Sequence, residues 1–215
     1  MSRIPTDLYL ILDAAVIPHR DLLEAAQAAI AGGVRMIQYR EKEGEKNKAY
    51  RTACGLHDLA RKENVVFIIN DDVDLTLASE ADGVHLGQED LPIAKARSLL
   101  GPDRIIGGSA HTLDQALAAQ EAGADYLGIG PIFPSPTKQA RPPLGCGILS
   151  KLRPKISIPL FAIGGISEQN IPEVLSAGAD GVACVSAVLS QPNIRETTQR
   201  LLQIIRFTKD LRLTK

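Results

Sequence analysis

Tryptophan is absent from this sequence, and aromatic residues of all kinds make up only 4% of its 215 positions. So sparse a set cannot supply the repeated stacking platforms on which single-stranded nucleic acids are bound. A surplus of positive charge is missing too. Lys and Arg number 24 against 25 Asp and Glu, a formal net charge of −1, which gives no global attraction for a phosphate backbone. Any basic site must be local. No apolar run approaches the roughly 20 residues of a membrane span. Residues 1–13 lack the apolar core behind basic residues that marks a signal peptide, so the expected compartment is the cytoplasm. The three cysteines, Cys54, Cys146 and Cys184, are odd in number and widely spaced, which fits neither a disulfide framework nor a zinc cluster. Cys184 lies in an apolar run and reads as a buried thiol.

What is present is enough for one sizeable core: 45% apolar and 23% charged residues in a length suited to one domain, 1–215. Short β-type runs occur at residues 8–12, 36–40, 65–69, 83–86, 105–108, 126–129, 160–163 and 181–185. Amphipathic or Ala-rich segments lie between them, such as 21–31, 113–122, 167–177 and 195–206. A strand followed by a helix eight times over implies parallel pairing, and this length suits a closed α/β barrel of the (β/α)8, or TIM, type with little room for an extra domain. An open doubly wound sheet is the other architecture considered, but no glycine-rich dinucleotide fingerprint follows the first strand. A faint repeat agrees with the barrel: Gly32-Gly33, Gly123 and Gly178 each close a helix just before a strand, where glycine supplies a left-handed cap. Residues 207–215 read as a basic, frayed helix end without assigned function.

In such a barrel, reactive groups come from the C-terminal ends of strands. After the second strand, Gln38-Tyr39-Arg40-Glu41-Lys42 alternates so that Gln38, Arg40 and Lys42 share a face. Arg offers a planar fork and Lys a compact charge to phosphate oxygens; the alternative is a solvated strand end. Asn70-Asp71-Asp72 and Gly87-Gln88-Glu89-Asp90 follow the third and fourth strands, which lie about 4.8 Å apart when neighbours. Oxygen ligands without His or Cys favour magnesium, with Asp71 and Asp90 as candidates. Asp72, Asp74 and Asp90 each precede a helix, so plain N-capping is the competing reading. Ser109 at the fifth strand end could bind a substrate or cap the helix near Thr112. His85 and His111 lack a second close His or Cys for a transition metal, and His111 reads as a packed or partly exposed side chain. The loop from Gly130 to Lys138 is stiffened by proline and carries anion-binding donors. Gly164-Gly165-Ile166-Ser167 and Val185-Ser186-Ala187 occupy the loops after strands seven and eight, where many barrels hold phosphate.

Taken in order, Gln38 to Lys42, Asn70 to Asp72, His85 to Asp90, Gly130 to Lys138 and Ala162 to Ile166 resemble the thiamine phosphate synthase family over about residues 8–190. The resemblance implies a (β/α)8 barrel that binds Mg2+ and joins a pyrimidine diphosphate to a thiazole phosphate, releasing diphosphate, as an alkyl/aryl-transferring enzyme. By the same resemblance, Gln38, Arg40, Lys42, Asn70, Ser109 and Lys138 contact the pyrimidine diphosphate, with Arg40, Lys42 and Lys138 assisting departure of its leaving group. Asp71 and Asp90 hold magnesium. Ser135, Thr137, Gly165, Val185 and Ser186 hold the thiazole phosphate. Ser135-Pro136-Thr137-Lys138 departs from the family's usual Thr-x-Thr-Lys, but serine keeps the hydroxyl. Two rivals remain: a thiazole tautomerase using His111, and a catalytically silent barrel binding the same ligands. The partners expected are the two small-molecule substrates, with a homo-oligomer left open and neither nucleic acid nor membrane.

Overall fold

A computed structural model describes residues 4–134 and 142–213. The elements follow in the order β1 (Leu8–Asp13), α1 (Leu22–Ala31), β2 (Met36–Arg40), α2 (Lys46–Glu63), β3 (Val66–Asn70), α3 (Val73–Ala78), β4 (Gly83–Leu86) and α4 (Ile93–Leu100). The second half comprises β5 (Ile105–Ala110), α5 (Leu113–Glu121), β6 (Tyr126–Ile129), α6 (Gly147–Leu152), β7 (Leu160–Ile163), α7 (Ile171–Ser176), β8 (Gly181–Cys184), α8 (Ser186–Leu189) and α9 (Ile194–Leu213). The strands pair in parallel in sequence order, and β8 closes on β1. The expected TIM barrel is the observed one, with strand boundaries within two residues of those read from the sequence.

Period-two geometry sorts each strand into two faces. Leu8, Leu10 and Leu12 of β1, Phe67 and Ile69 of β3, and Leu127 and Ile129 of β6 pack outward beneath the helices. Tyr9, Met36, Ile68, Ile105, Tyr126 and Phe161 point inward and fill the lower barrel. Each fully buried apolar side chain of this size contributes about 1.5–3 kcal/mol relative to exposure. Further towards the C-terminal ends, Asp13, Gln38, Arg40, Asn70, His85 and Ser109 line the cavity beside Ile11, Gly128 and Ile163. The core thus ends where the site begins.

The repeat seen in the sequence has the structural role expected: Gly33, Gly123 and Gly178 have φ of 108°, 94° and 115°, beyond the comfortable reach of other residues. Asp125 and Asp180 beside it, and Asp82 ahead of β4, do more than the sequence suggests. Asp82, Asp125 and Asp180 accept from the backbone amides of Phe67, Ile106 and Leu160 at 2.8, 2.7 and 2.8 Å. Each side chain preceding an even strand therefore staples the odd strand before it at the barrel floor. Arg97 and Arg153 hold Asp125 and Asp180 as ion pairs.

Two expectations are corrected. The C-terminal segment is not frayed as far as Leu213: Lys209 Nζ reaches Asp7 Oδ1 at 2.8 Å and Arg212 Nη1 reaches the Ala179 carbonyl at 3.0 Å, tying α9 to the floor. The helix expected from residue 167 begins at Ile171. Residues 167–170 instead make a turn, in which Ser167 N donates to Asn170 Oδ1 and Asn170 Nδ2 donates to the Gly165 carbonyl, both at 2.8 Å.

Candidate active site

The polar mouth encloses a cavity of about 600 Å³, within the range that takes small-molecule ligands. Gln38, Arg40, Lys42, Asn70, Asp71, Asp90, Ser109, Gly165, Val185 and Ser186 all line it. Ser135, Thr137 and Lys138 lie outside the described residues.

Register explains the first charged contact. Asp13 and Arg40 are partners across the β1–β2 ladder, and Arg40 Nη1 donates to Asp13 Oδ2 at 2.6 Å. Asp13 is 4% exposed, so its carboxylate depends on that guanidinium, which in turn is held in one orientation. The remaining donors of the guanidinium fork are not consumed by this bond.

Lys42 and Asp71 come from the ends of β2 and β3 and form an ion pair at 2.6 Å. Asp71 has φ of 65°, a left-handed conformation that Asp tolerates better than most side chains but still at a cost on the order of 1 kcal/mol. Its amide donates to the His85 carbonyl at 2.8 Å, locking the turn. Burial pushes the Asp90 carboxyl above the usual carboxylate range, and a hydrogen bond shared with Asp71 raises it further, while the Gly87 amide and Lys42 pull the other way. Two carboxylates this close disfavour their common ionisation unless a cation stands with them.

The capping alternatives resolve unevenly. Asp72 is the N-cap residue of α3, yet its side chain makes no capping bond. Asp74 accepts from Leu75 N and pairs with Lys46. Asp90 is no helix cap: it accepts from Gly87 N at 2.6 Å, whereas α4 starts only after Pro92. Ser109 is not a cap either, because Thr112 itself accepts from Gln115 N to start α5. Its carbonyl takes the Gln88 amide at 2.6 Å, and its hydroxyl lies 2.9 Å from His85 Nε2.

On the opposite side, Gly164 and Gly165 have φ of 93° and 63°, and an added Cβ would sit 2.6 Å from Pro131 Cα and 2.5 Å from the Pro134 carbonyl oxygen, respectively. Glycine is therefore required for the β7 loop to lie against the β6 loop. Phe133 N donates to the Gly164 carbonyl at 3.1 Å across that contact. Val185 and Ser186 bound the same side of the cavity.

Some lining residues, Asp13 and Tyr9 among them, were not singled out by sequence reasoning. Asp13 is the last residue of β1, and the strand-end rule could have found it. Tyr9 and His85 line the cavity floor through a buried chain that no local pattern announces. His111, which the sequence reading names as a packed or partly exposed side chain, faces the cavity, with Nδ1 2.5 Å from the Gly130 carbonyl oxygen. Among the described residues there is no group of three or more His, Cys, Asp or Glu that could hold a metal.

A parallel eight-stranded barrel with Arg and Lys beside paired carboxylates at its C-terminal mouth defines an enzyme of the class that handles small phosphorylated substrates. Residues 8–188 match the family model described as thiamine monophosphate synthase. The chain is 44% identical to the thiamine-phosphate synthase of Chloroflexus aurantiacus, covering 94% of each protein. It is also 44% identical to that of Syntrophomonas wolfei, covering 92% of this chain and 95% of the relative. The solved thiamine phosphate pyrophosphorylase of Pyrococcus furiosus superposes with a TM-score of 0.87 at 39% identity, over 94% of this chain and 96% of that one. The chain belongs to the thiamine monophosphate synthase family and is an enzyme of transferase type; these relatives do not favour a tautomerase or a silent barrel. No described helix is long and apolar enough to cross a membrane.

Proposed function

We propose that the chain, acting as one catalytic unit in the cytoplasm, condenses a hydroxymethylpyrimidine diphosphate with a thiazole phosphate to give thiamine phosphate and diphosphate. The observation carrying this reading is the convergence of Gln38, Arg40, Lys42, Asn70, Asp71, Asp90 and Ser109 from four strand ends on one cavity, with the Gly165 and Ser186 loops across from them. A donor set of two carboxylates without thiolate fits a hard divalent cation that fills its shell with water and substrate phosphate. Asp71 and Asp90 would hold Mg2+. When bound there, it supplies positive charge beside the departing diphosphate.

The residues then divide the work. Arg40, kept in one orientation by Asp13, offers its free donors to diphosphate oxygens. Lys42 adds a compact charge next to Asp71. Gln38, Asn70 and Ser109 orient the pyrimidine, whose amino-substituted ring stabilises the cation left when the methylene carbon–oxygen bond breaks. Gly165, Val185 and Ser186, with Ser135 and Thr137, hold the thiazole phosphate so that the ring nitrogen attacks that carbon. Lys138 completes the charge around the leaving group. No covalent nucleophile is needed, and catalysis rests on positioning and charge neutralisation. The test is formation of thiamine phosphate from both substrates, with and without magnesium; absence of product with magnesium present would remove the reading.

A further inference from the structure

Beneath the cavity, side chains from five strands make one continuous hydrogen-bonded chain. Gln38 Nε2 donates to Tyr9 Oη at 2.5 Å, Tyr9 Oη lies 2.8 Å from Tyr126 Oη, and Tyr126 Oη lies 3.1 Å from His85 Nδ1. His85 Nε2 then meets Ser109 Oγ at 2.9 Å. The tyrosines are fully buried and stacked edge-to-face with each other and with Phe161, at centroid separations of 5.5–5.7 Å. Room for the chain comes from missing side chains: a Cβ on Gly107 would stand 2.1 Å from Tyr126 Cζ and 2.6 Å from His85 Nδ1, and one on Gly128 would press on His85 Cε1 at 3.2 Å.

A hydroxyl has one proton to give, so the direction of one link dictates the next. The Gln38 amide nitrogen only donates. Tyr9 accepts from it and, with Tyr126 Oη the other partner of its hydroxyl among the described residues, passes its own proton there, and Tyr126 passes its proton to His85 Nδ1. An Nδ1 that accepts leaves the imidazole proton on Nε2, pointing at Ser109. Both tyrosines keep their protons, because burial pushes each hydroxyl above its ordinary value; hydrogen bonds to Tyr126 and Gln38 lower that of Tyr9 by less.

We infer that the buried Gln38–Tyr9–Tyr126 chain fixes His85 as its Nε2-protonated tautomer, so that Ser109 accepts from His85 and presents its own proton to the ligand. Ser109 then has its proton to offer, suited to an unprotonated ring nitrogen or an ester oxygen of the ligand. Tyr9, Tyr126 and His85 are positioning residues in this account, acting through Ser109. The last step rests on the reading of Ser109 as a ligand contact; the tautomer itself does not.

The test is long-range proton–nitrogen correlation NMR on substrate-free, 15N-histidine-labelled protein, at a pH well above the ordinary histidine pKa. The His85 signals are assigned by their loss in His85→Asn. Nε2 is expected to be the protonated nitrogen and Nδ1 the bare one. Tyr126→Phe keeps the ring and removes the link, and should give a mixture of tautomers and lower kcat up to about tenfold, the worth of one neutral hydrogen bond, with KM for thiazole phosphate unchanged. If that variant does not fold, Tyr9→Phe should loosen the same lock. A proton on Nδ1 in the wild type, or a tautomer unaltered in whichever tyrosine variant folds, would overturn the inference. The expected tautomer pattern in a protein that makes no thiamine phosphate would instead overturn the proposed reaction and leave the tautomer assignment standing.

Discussion

Lys42 Nζ stands 2.6 Å from Asp71 Oδ2, so a group assigned to the diphosphate and a group assigned to the metal are in direct contact. The geometry is coherent because a carboxylate has two oxygens, and the pair leaves Oδ1 of Asp71 and the Asp90 carboxylate for a cation. Asp71→Asn and Asp90→Asn should therefore lower magnesium-supported turnover by about a hundred-fold or more, with thermal unfolding near that of the parent. Asn suits position 71 better than Ala because it tolerates the left-handed backbone there. Steady-state rates across a magnesium titration check this; parental rates in both variants would contradict the ligand assignment.

Lys42 and Lys46 separate charge at the site from charge on the surface. Lys46 pairs with Asp74 at 2.8 Å, but both side chains are largely exposed, and such pairs contribute little. Lys42→Ala should slow the chemical step by roughly a hundred- to a thousand-fold, whereas Lys46→Ala should leave it unchanged. Single-turnover measurement at saturating substrates isolates that step.

The thiols offer a check on burial. Burial pushes the Cys184 thiol up to about 12. Burial and then the neighbouring Glu173 push Cys146 up to about 12 as well. Thiolate is the reactive form, so iodoacetamide at neutral pH should leave both unmodified in the folded protein and label them in denaturant. Mass spectrometry of the digested protein reads the outcome, and labelling of Cys184 without denaturant would contradict its burial.

Much of the fold and part of the site could be read before any coordinates. Alternation alone put Gln38, Arg40 and Lys42 on one face, and all three line the cavity. Asp13 escaped because its partner is set by the β1–β2 register, which a single strand does not encode. Tyr9 and Tyr126 are 117 residues apart and meet only when the barrel closes; in sequence each is one more core aromatic. Ser109 and Asp90 stayed ambiguous with helix caps until the true caps were seen at Thr112 and Pro92. The floor staples at Asp125 and Asp180 lay beside a repeat that was noticed for its glycines, and Asp82 lay outside it.

Two glycines should respond oppositely to alanine. Gly107→Ala would place its methyl carbon 2.1 Å from Tyr126 Cζ, and overpacking of this kind costs about 1–3 kcal/mol or more. Gly147, in the first turn of α6, has nothing within 4 Å of an added Cβ. There alanine should be neutral or stabilising by up to about 1 kcal/mol through helix propensity and a less flexible unfolded chain. Chemical denaturation of the two variants side by side tests the contrast, and a stable Gly107→Ala would mean that the Tyr126 ring can move.

The floor staples should carry stability without carrying chemistry. Asp180 Oδ2 accepts from the buried amide of Leu160 at 2.8 Å and pairs with Arg153, at the end of the barrel away from the cavity. In Asp180→Ala the amide at the start of β7 loses its acceptor and Arg153 loses its counter-charge. An unsatisfied buried donor costs about 1–3 kcal/mol. The ion pair adds less, because both side chains are about a third exposed and solvent screens them. For a chain of this length each kcal/mol lowers Tm by roughly 2–4 °C, so a fall of several degrees is expected. Asp180→Asn retains a carbonyl oxygen for the Leu160 amide and should recover part of the loss. In both variants kcat and KM should stay at parental values at a temperature well below the transition. A drop in kcat with unchanged Tm would show that the floor communicates with the mouth, and would end the separation of stabilising and catalytic ends on which this prediction rests.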